Sequence, residues 1–397
     1  MKFRNLIHCL LIVTLLFTLS NCGSCLATHS GDHEEDADAS VSADEDDGNS
    51  DEDDGGDDGG NEDEDDGTDP STSASLGDVQ SLTVGFDFAC ALFEDGDVMC
   101  WGKNHRNELG AGSNEGSSLP LQADVADVEG IDAGYDSACA LIDDGSVQCW
   151  GANDFGQLGD GTEDEPGVVV EVIDIEDATQ ISVGEYFACA LLEDETVMCW
   201  GKGSSGQLGN ASTSISLEPD AVNDLEDVQQ LSSGDSHTCA VIDDGDVYCW
   251  GYNIYGQVQP GETSSYDEPV KVEGVTDATQ VAAGAYHSCA LIDDGTIMCW
   301  GDEGYGQLGY GSSADSDVAV EVEDIDNAVQ VTAGKWHTCA LLDDDTVQCW
   351  GRNHYGQLGN DTDEDSNSPE NVENLEEVTD LASGSLFNCA LVQDGDA

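Results

Sequence analysis

Short apolar runs, broken by glycines and acidic turns, make up the chain from residue 79 onward. In the stretch 278–309 these runs are residues 280–283, 288–292 and 296–300, and each has the length and composition typical of a β-strand. None of them continues with the 3.6-residue period of an amphipathic helix. The pattern therefore predicts an all-β fold in which each unit contributes several short strands.

The unit recurs at an almost constant spacing of 49 and then 50 residues. Its first cysteine falls at Cys90, Cys139, Cys189, Cys239, Cys289, Cys339 and Cys389. All-β units repeated at a fixed period of this length predict a propeller or a solenoid. We place the repeat domain at 79–397, with units starting at 79, 128, 178, 228, 278, 328 and 378.

The seventh unit stops inside its hairpin, before the position of its second cysteine. Nothing upstream of Val79 resembles the missing Cys-Trp-Gly strand. We therefore expect the natural chain to continue beyond residue 397. The alternative is that Cys389 is a free thiol at an open sheet edge with unpaired backbone groups.

Nine residues separate the two cysteines of each complete unit. Between Cys139 and Cys149, the segment 143–145 (Asp-Asp-Gly) fits a three-residue loop whose glycine is left-handed. Leu141 then faces Val147, and the cysteines occupy a non-hydrogen-bonded pair with Cα atoms about 4.5 Å apart. This spacing is within disulfide range. The predicted bridges are Cys90–Cys100, Cys139–Cys149, Cys189–Cys199, Cys239–Cys249, Cys289–Cys299 and Cys339–Cys349; the alternative is buried free thiols.

The N-terminus has the pattern of an export signal. Lys2 and Arg4 precede an apolar stretch at 6–19, which is shorter than a typical transmembrane helix. Residues 19–22 resemble a lipoprotein cleavage motif, which predicts a signal peptide at 1–21 and lipidation of Cys22. The alternative is ordinary cleavage before Thr28. We expect an outer-membrane or cell-surface lipoprotein, or else a secreted or periplasmic protein, and either location favours disulfides.

An acidic low-complexity linker, residues 22–78, follows the signal. Its segment 32–69 has 21 acidic residues and no basic ones. Such a composition buries too little apolar surface to offset the entropy of ordering, so the sequence predicts disorder. No stretch has the spaced ligands and closing Glu of a calcium loop.

The chain has 86 acidic and 8 basic residues, a net charge of −78, and the repeat domain alone has a net charge of −58. This charge excludes nucleic acid as a partner, because binding there requires cations that release counterions. It also excludes electrostatic attachment to anionic membranes, which leaves the lipid anchor as the membrane contact. A basic partner or adaptation to a saline habitat is compatible with it.

The repeats resemble the regulator-of-chromosome-condensation repeat family. The residues that carry this resemblance in one unit are Gly334, His337, Ala340-Leu341, Trp350-Gly351, Asn353 and Gly356-Gln357-Leu358-Gly359. Departures are Asn107-Glu108 in the first unit and Val258-Gln259 in the fourth. The resemblance implies a seven-bladed β-propeller of four-stranded blades, whose last blade is incomplete here. The nuclear founder's nucleotide exchange and chromatin contact rely on nuclear placement and basic segments, so we expect neither.

The variable triplet between each unit's Gly and first Cys should form a loop tip at one mouth of the propeller. We predict that these tips bind a protein or peptide partner, and the candidate residues are Phe86, Tyr135, Tyr186, Tyr286, Trp336 and Leu386. Aromatic tips supply contact area at low entropic cost. The third triplet residues His237, His287 and His337 are interpreted as structural, with a ligand role as the alternative.

The sequence contains no nucleophile–base motif, no phosphate-binding glycine loop and no metal motif beyond its repeats. We therefore predict a non-enzymatic, monomeric binding scaffold without cofactor or metal, for a protein or peptide partner that can be basic. The first alternative is a structural or adhesive envelope protein without a defined ligand. A polysaccharide-active hydrolase is a further alternative.

Overall fold

The structure is a computed structural model that describes residues 5–10, 79–314 and 316–393 of the 397-residue chain. Apart from residues 5–10, the predicted signal peptide lies outside the described residues, as do Cys22 and the linker 22–78. All regular elements in the described part are β-strands. That part contains no helix with the length and apolarity needed to cross a bilayer.

Six sheets of four consecutive antiparallel strands follow one another along the chain. Numbering starts with β1 (Asn5–Leu10), and the first three sheets are β2 (Val79–Val84), β3 (Phe88–Phe93), β4 (Val98–Gly102), β5 (Ser117–Gln122); β6 (Val128–Ala133), β7 (Ser137–Ile142), β8 (Val147–Gly151), β9 (Val170–Glu171); and β10 (Ala178–Val183), β11 (Phe187–Leu192), β12 (Val197–Gly201), β13 (Ser216–Ala221). The next three are β14 (Val228–Ser233), β15 (His237–Ile242), β16 (Val247–Gly251), β17 (Tyr266–Lys271); β18 (Ala278–Ala283), β19 (His287–Ile292), β20 (Ile297–Gly301), β21 (Val320–Glu321); and β22 (Ala328–Ala333), β23 (His337–Leu342), β24 (Val347–Gly351), β25 (Ser366–Asn371). Each sheet is one blade of a β-propeller.

A seventh sheet has three strands: β26 (Val378–Ser383), β27 (Asn388–Gln393) and β1. Strand β1 pairs antiparallel with β27, and Cys9 lies opposite Cys389. The continuation of the natural chain beyond residue 397 stays a prediction, whereas the alternative of an open edge on β27 is not what this structure shows. The physical reason is that the edge of β27 presents backbone N–H and C=O groups to any extended segment within reach. Complete four-stranded blades number six in the described residues.

The innermost strand of each sheet lines a central channel with a volume of about 410 Å³. Side chains on these strands accept hydrogen bonds from backbone N–H groups of the next blade. The bonds are Leu231 N to Gln180 Oε1 (2.9 Å), Val281 N to Gln230 Oε1 (2.8 Å), Val331 N to Gln280 Oε1 (3.0 Å), Leu381 N to Gln330 Oε1 (3.0 Å) and Leu82 N to Asp380 Oδ2 (3.1 Å). The last bond joins the seventh sheet to the first, so the ring is closed.

Tryptophans that follow the second cysteines fill the interfaces between blades. Trp200 is fully buried against Cys139, Cys149 and Ala190, and its Nε1 donates to the carbonyl of Gln157 in the preceding blade at 3.0 Å. Trp150, Trp250, Trp300 and Trp350 make the equivalent bond at 2.8–2.9 Å. Packing of the tryptophans positions each blade, and hence its tip loop, relative to the next.

The central hairpin has the predicted register. Leu141 pairs with Val147, Cys139 pairs with Cys149, and Gly145 has a φ of +83°. Six such hairpins form disulfides with Cα atoms 4.1 Å apart: Cys90–Cys100, Cys139–Cys149, Cys189–Cys199, Cys239–Cys249, Cys289–Cys299 and Cys339–Cys349. Where the turn lacks glycine, Glu195 and Asp345 take the same left-handed conformation, with φ of +64° and +63°.

Candidate partner-binding face

Seven glycines form a closed neck at one end of the channel, with a volume of only about 80 Å³. They are Gly85, Gly134, Gly184, Gly234, Gly284, Gly334 and Gly384. A Cβ on any one of them would lie no more than 2.7 Å from the carbonyl oxygen of the next glycine in the ring. At Gly284 and Gly334 the Cβ would also lie within 2.7 Å of the His ring three residues later in the chain. Only glycine allows this approach, and the triplet after each glycine must therefore emerge around this one mouth.

The first triplet residues surround the mouth itself. Phe86 and Tyr135 stack with ring centroids 4.2 Å apart. Lys335 reaches across the neck, and its Nζ lies 3.3 Å from Asp235 Oδ2 and 5.8 Å from the Tyr135 ring centroid. Glu185 also lines the neck. Two aromatic rings, two carboxylates and one ammonium thus share a space that five blades supply.

The other candidate residues extend two aromatic groups outward from the mouth. The first aromatic arc is Phe86, Tyr135, Tyr186 and Phe155, with 5.9 Å between the Tyr135 and Tyr186 rings and 5.1 Å between Tyr186 and Phe155. The second aromatic arc is Tyr252, Tyr255, Tyr286, Trp336 and Tyr305, with neighbouring rings 5.1–6.5 Å apart. The structure therefore brings five of the six candidates, all except Leu386, into these two arcs.

Leu386 is half-buried at the corresponding position of the seventh unit and belongs to neither arc. Ser236 occupies the equivalent position between Tyr186 and Tyr286. These two small or aliphatic tips separate the arcs, so the face presents two aromatic surfaces rather than one continuous ring.

Sequence reasoning missed the outer members of this face. Phe155, Tyr255, Tyr305 and Tyr355 all precede a Gly-Gln pair in their loops, and Lys103, Lys202 and Arg352 all follow a Trp-Gly pair. The signal was present, because aromatic and basic residues recur at these two register positions in an otherwise acidic chain. A search restricted to the triplets could not find it.

Five of the six basic residues after Val79 lie on this face. Lys103 contacts Asp136 at 2.9 Å, Lys202 contacts Glu185 at 4.0 Å, and Arg106 forms an ion pair with Asp154. The sixth, Lys271, is on an outer strand and pairs with Asp246. The structure thus pairs the carboxylates of this face with nearly all the cations of the domain.

Burial changes the pKa values of the ionisable side chains at the mouth. It raises the pKa of Asp235, against the opposing effect of Lys335, and it raises the pKa of Glu185, where the nearby charge of Asp235 adds to the effect. Burial also raises the pKa of Tyr186 to about 12, with Glu185 contributing. The hydroxyl of Tyr186 therefore stays protonated and available as a hydrogen-bond donor at neutral pH.

The third triplet residues are structural. His237 is fully buried, and its Nε2 lies 2.8 Å from Ser288 Oγ, which itself donates to the carbonyl of Gln257. Ser288 must accept from the imidazole, so the ring is neutral with its proton on Nε2. His287 makes the same kind of bond to Thr338, and His337 to Asn388. Burial lowers the pKa of His237 and His287 to about 3 and of His337 to about 4.

Three solved structures with similar folds cover 80% of this chain. Human WBSCR16 is 23% identical over 87% of its own length with a TM-score of 0.73, and Prp20p from Saccharomyces cerevisiae is 22% identical over 83% with a TM-score of 0.72. The ectodomain of the Arabidopsis thaliana receptor kinase ACR4 is 20% identical over 92% with a TM-score of 0.50. No curated protein matches by sequence. In the described residues no group of three His, Cys, Asp or Glu side chains is arranged as for a metal ion.

Family profiles agree with this likeness of fold. The RCC1-like domain profile matches residues 47–323, and two profiles of the regulator of chromosome condensation (RCC1) repeat match residues 328–357 and 344–391. Together they account for the repeats with their Trp-Gly and Gly-Gln-Leu-Gly signatures and for the propeller that these repeats form. This chain belongs to the RCC1-like domain family.

Proposed function

We propose that this protein is a non-catalytic, extracytoplasmic binding scaffold. It holds a protein or peptide partner on the face that the loop tips form around the mouth. The observation that carries the proposal is the pair of aromatic arcs at the mouth. Aromatic side chains with few rotatable bonds dominate binding energy in protein interfaces, and here the disulfide-bridged blades hold them rigidly. A rigid surface also reduces the entropy lost on binding.

The charge of the domain acts at longer range than these contacts. The net charge of −58 on the domain steers basic partners toward the molecule and repels polyanions. The yeast relative Prp20p is described by its binding to Gsp1p and histones, which supports a protein as the class of partner. Nucleotide exchange and chromatin binding are not part of the proposal, because this domain has only six basic residues.

Truncation of a single ring in the second aromatic arc should strongly weaken partner binding. We expect the mature chain, used as bait with an envelope extract of its source cells, to retain one saturable partner. Tyr286→Ala and Trp336→Ala should each weaken that complex by roughly 30-fold or more, as expected when a central aromatic is truncated. Titration by surface plasmon resonance measures the change.

Leu119→Ala is the matched control, since Leu119 is a 72% exposed apolar residue on an outer strand. Its affinity should equal that of the wild type. If capture ignores both aromatic substitutions and falls steadily with salt, the protein is instead a structural or adhesive envelope component without a defined ligand.

Export is the second part of the proposal, and six disulfides in the domain support an oxidising compartment. Cleavage before Cys22 would remove β1, so pairing of β1 with β27 and signal processing cannot occur in the same molecule. Intact-mass measurement on protein from source cells should show a chain starting at Cys22 with added acyl mass. A chain starting at Thr28 would instead mean secretion without an anchor, and a retained Met1 would contradict export.

A further inference from the structure

Arg352 differs from the other basic side chains of the domain in its partners. Lys103, Arg106, Lys202, Lys271 and Lys335 each have a carboxylate oxygen within 4.0 Å. Across the described residues, Arg352 has no such ion pair. In a chain with 86 acidic residues an arginine without a carboxylate is unexpected, because a flexible guanidinium would readily find one.

Aromatic rings hold the guanidinium of Arg352 in place. Its Cζ lies 4.5 Å from the ring centroid of Trp336, 5.1 Å from that of Tyr305 and 5.5 Å from that of Tyr355. Its Nε donates to Nδ1 of His354 at 3.1 Å. These contacts use the faces and the inner edge of the guanidinium and leave the two terminal nitrogens for a ligand.

The surroundings of Arg352 are apolar and accessible. Tyr355, next to Arg352, is 57% exposed, and Tyr255 within the second aromatic arc is 47% exposed. A guanidinium stacked on aromatic rings loses little entropy when it forms a hydrogen bond, and its fork matches the two oxygens of a carboxylate. Desolvation by the aromatic neighbours would further strengthen such a pair.

We propose that Arg352 binds a carboxylate of the protein partner, an Asp or Glu side chain next to an apolar residue that packs on the second aromatic arc. This inference rests on the proposed function and specifies its partner chemistry at one point. A single carboxylate is compatible with the acidic domain because Arg352 neutralises it locally, whereas a phosphorylated or polyanionic ligand meets the full repulsion. The net charge of the domain therefore governs the long-range approach of the partner. Arg352 then fixes the position of the bound partner segment on the face.

An array of heptapeptides tests this directly, with randomised apolar flanks and a central residue fixed as Glu, Gln, phosphoserine or Lys. The probe is the mature full-length chain. We expect central Glu to bind at least tenfold more strongly than central Gln. Arg352→Gln should reduce that ratio below threefold, and Arg352→Lys should restore it only in part because lysine lacks the planar fork.

Lys271→Gln is the matched control, as it removes one positive charge from an outer strand and should leave the Glu preference intact. Near-ultraviolet circular dichroism and the thermal midpoint verify that each variant is folded. The inference is overturned if Gln equals Glu, if phosphoserine or Lys is preferred, or if no peptide binds above background. Peptides that need Trp336 and Tyr286 but ignore Arg352 would leave the proposed function standing and remove this inference alone.

Discussion

Removing one hairpin disulfide, with Cys139→Ala and Cys149→Ala together, is expected to lower the free energy of unfolding by about 2–3 kcal/mol. The bridge closes a loop of ten residues in sequence separation, and closing a loop of this length restricts the unfolded chain by about that amount. Six equivalent bridges then contribute on the order of 15 kcal/mol in the limit of additivity. This equals or exceeds the whole stability of a typical domain, about 5–15 kcal/mol, so the fully reduced chain should not remain folded.

Urea unfolding with and without a phosphine reductant measures both effects. The bridges are fully buried, so reduction must be carried out on unfolded protein before refolding is attempted. Both cysteines share a hydrophobic cluster with Trp200 of the next blade, so the double variant also loses some side-chain packing. After full reduction, neither the wild type nor the double variant should show a cooperative unfolding transition in urea, because neither chain then keeps a hairpin bridge.

Alkylation of the unreduced protein supplies the control. The twelve cysteines of the six hairpins should not react in urea unless reductant is added. Reactive thiols in that experiment, or an unfolding midpoint that is the same before and after reduction, would contradict the bridged-blade structure and with it the rigid display of the tips.

The hairpin could be derived from the sequence because all its determinants are local. The glycine turn at Gly145, the nine-residue separation and the alternation of apolar residues together set the register that places Cys139 opposite Cys149. The constant period extends this result to every unit, and the glycine before each triplet places the tips on one face. The fold and the shared location of the tips around the mouth therefore follow from short-range patterns.

The chemistry of the face could not be derived in the same way, because it depends on contacts between blades. Lys335 pairs with Asp235 two blades away, and Arg352 stacks on Tyr305 of the preceding blade. The pairing of β1 with β27 likewise joins segments almost the full chain apart. Periodicity predicts which positions neighbour one another, but not which side chains meet across the mouth once the repeats diverge.

Acidification is expected to destabilise the propeller through its three buried histidines. Each is neutral when folded, with a pKa of about 3 for His237 and His287 and about 4 for His337, against about 6.5 in the unfolded chain. The unfolded state binds the extra protons, so the stability due to each imidazole is complete above pH 6.5 and is lost as pH falls toward the folded pKa. At pH 4.5 the loss is about 2–3 kcal/mol for each histidine.

Other groups act in the opposite direction and must be separated from the histidines. Asp132 lines the channel, and burial raises its pKa to about 6 despite a hydrogen bond from Val183 N. Its contribution to stability is therefore present at low pH and is lost as pH rises through 6. Protonation of surface carboxylates also relieves repulsion in so acidic a domain. The pH profile of the wild type alone cannot isolate the imidazoles.

The contribution of one histidine can be isolated by a pair exchange, in which a His–Ser pair is replaced by the Phe–Ala pair that occupies the equivalent positions elsewhere in the protein. In the first blade, Phe88 occupies the position of His237 and packs with Ala138, which corresponds to Ser288. The double variant His237→Phe/Ser288→Ala should keep its stability at pH 7 within about 1 kcal/mol, because it recreates a pairing that the same fold already accommodates. Between pH 6 and 4 its free energy of unfolding should fall less steeply than that of the wild type, by about 1.4 kcal/mol per pH unit.

Urea midpoints at half-unit steps from pH 7 to 4 measure this difference, and His105→Gln, at an exposed loop position, should reproduce the wild-type slope. Equal slopes for the pair exchange and the wild type would mean that His237 takes up its proton in the folded state. The imidazole would then have to reach water or an anion, and the closed, hydrogen-bonded interface between the fourth and fifth blades could not be its environment in solution. The same glycine neck that buries these rings also orients the tips. That outcome would therefore contradict the proposal that the tips form a rigid binding surface.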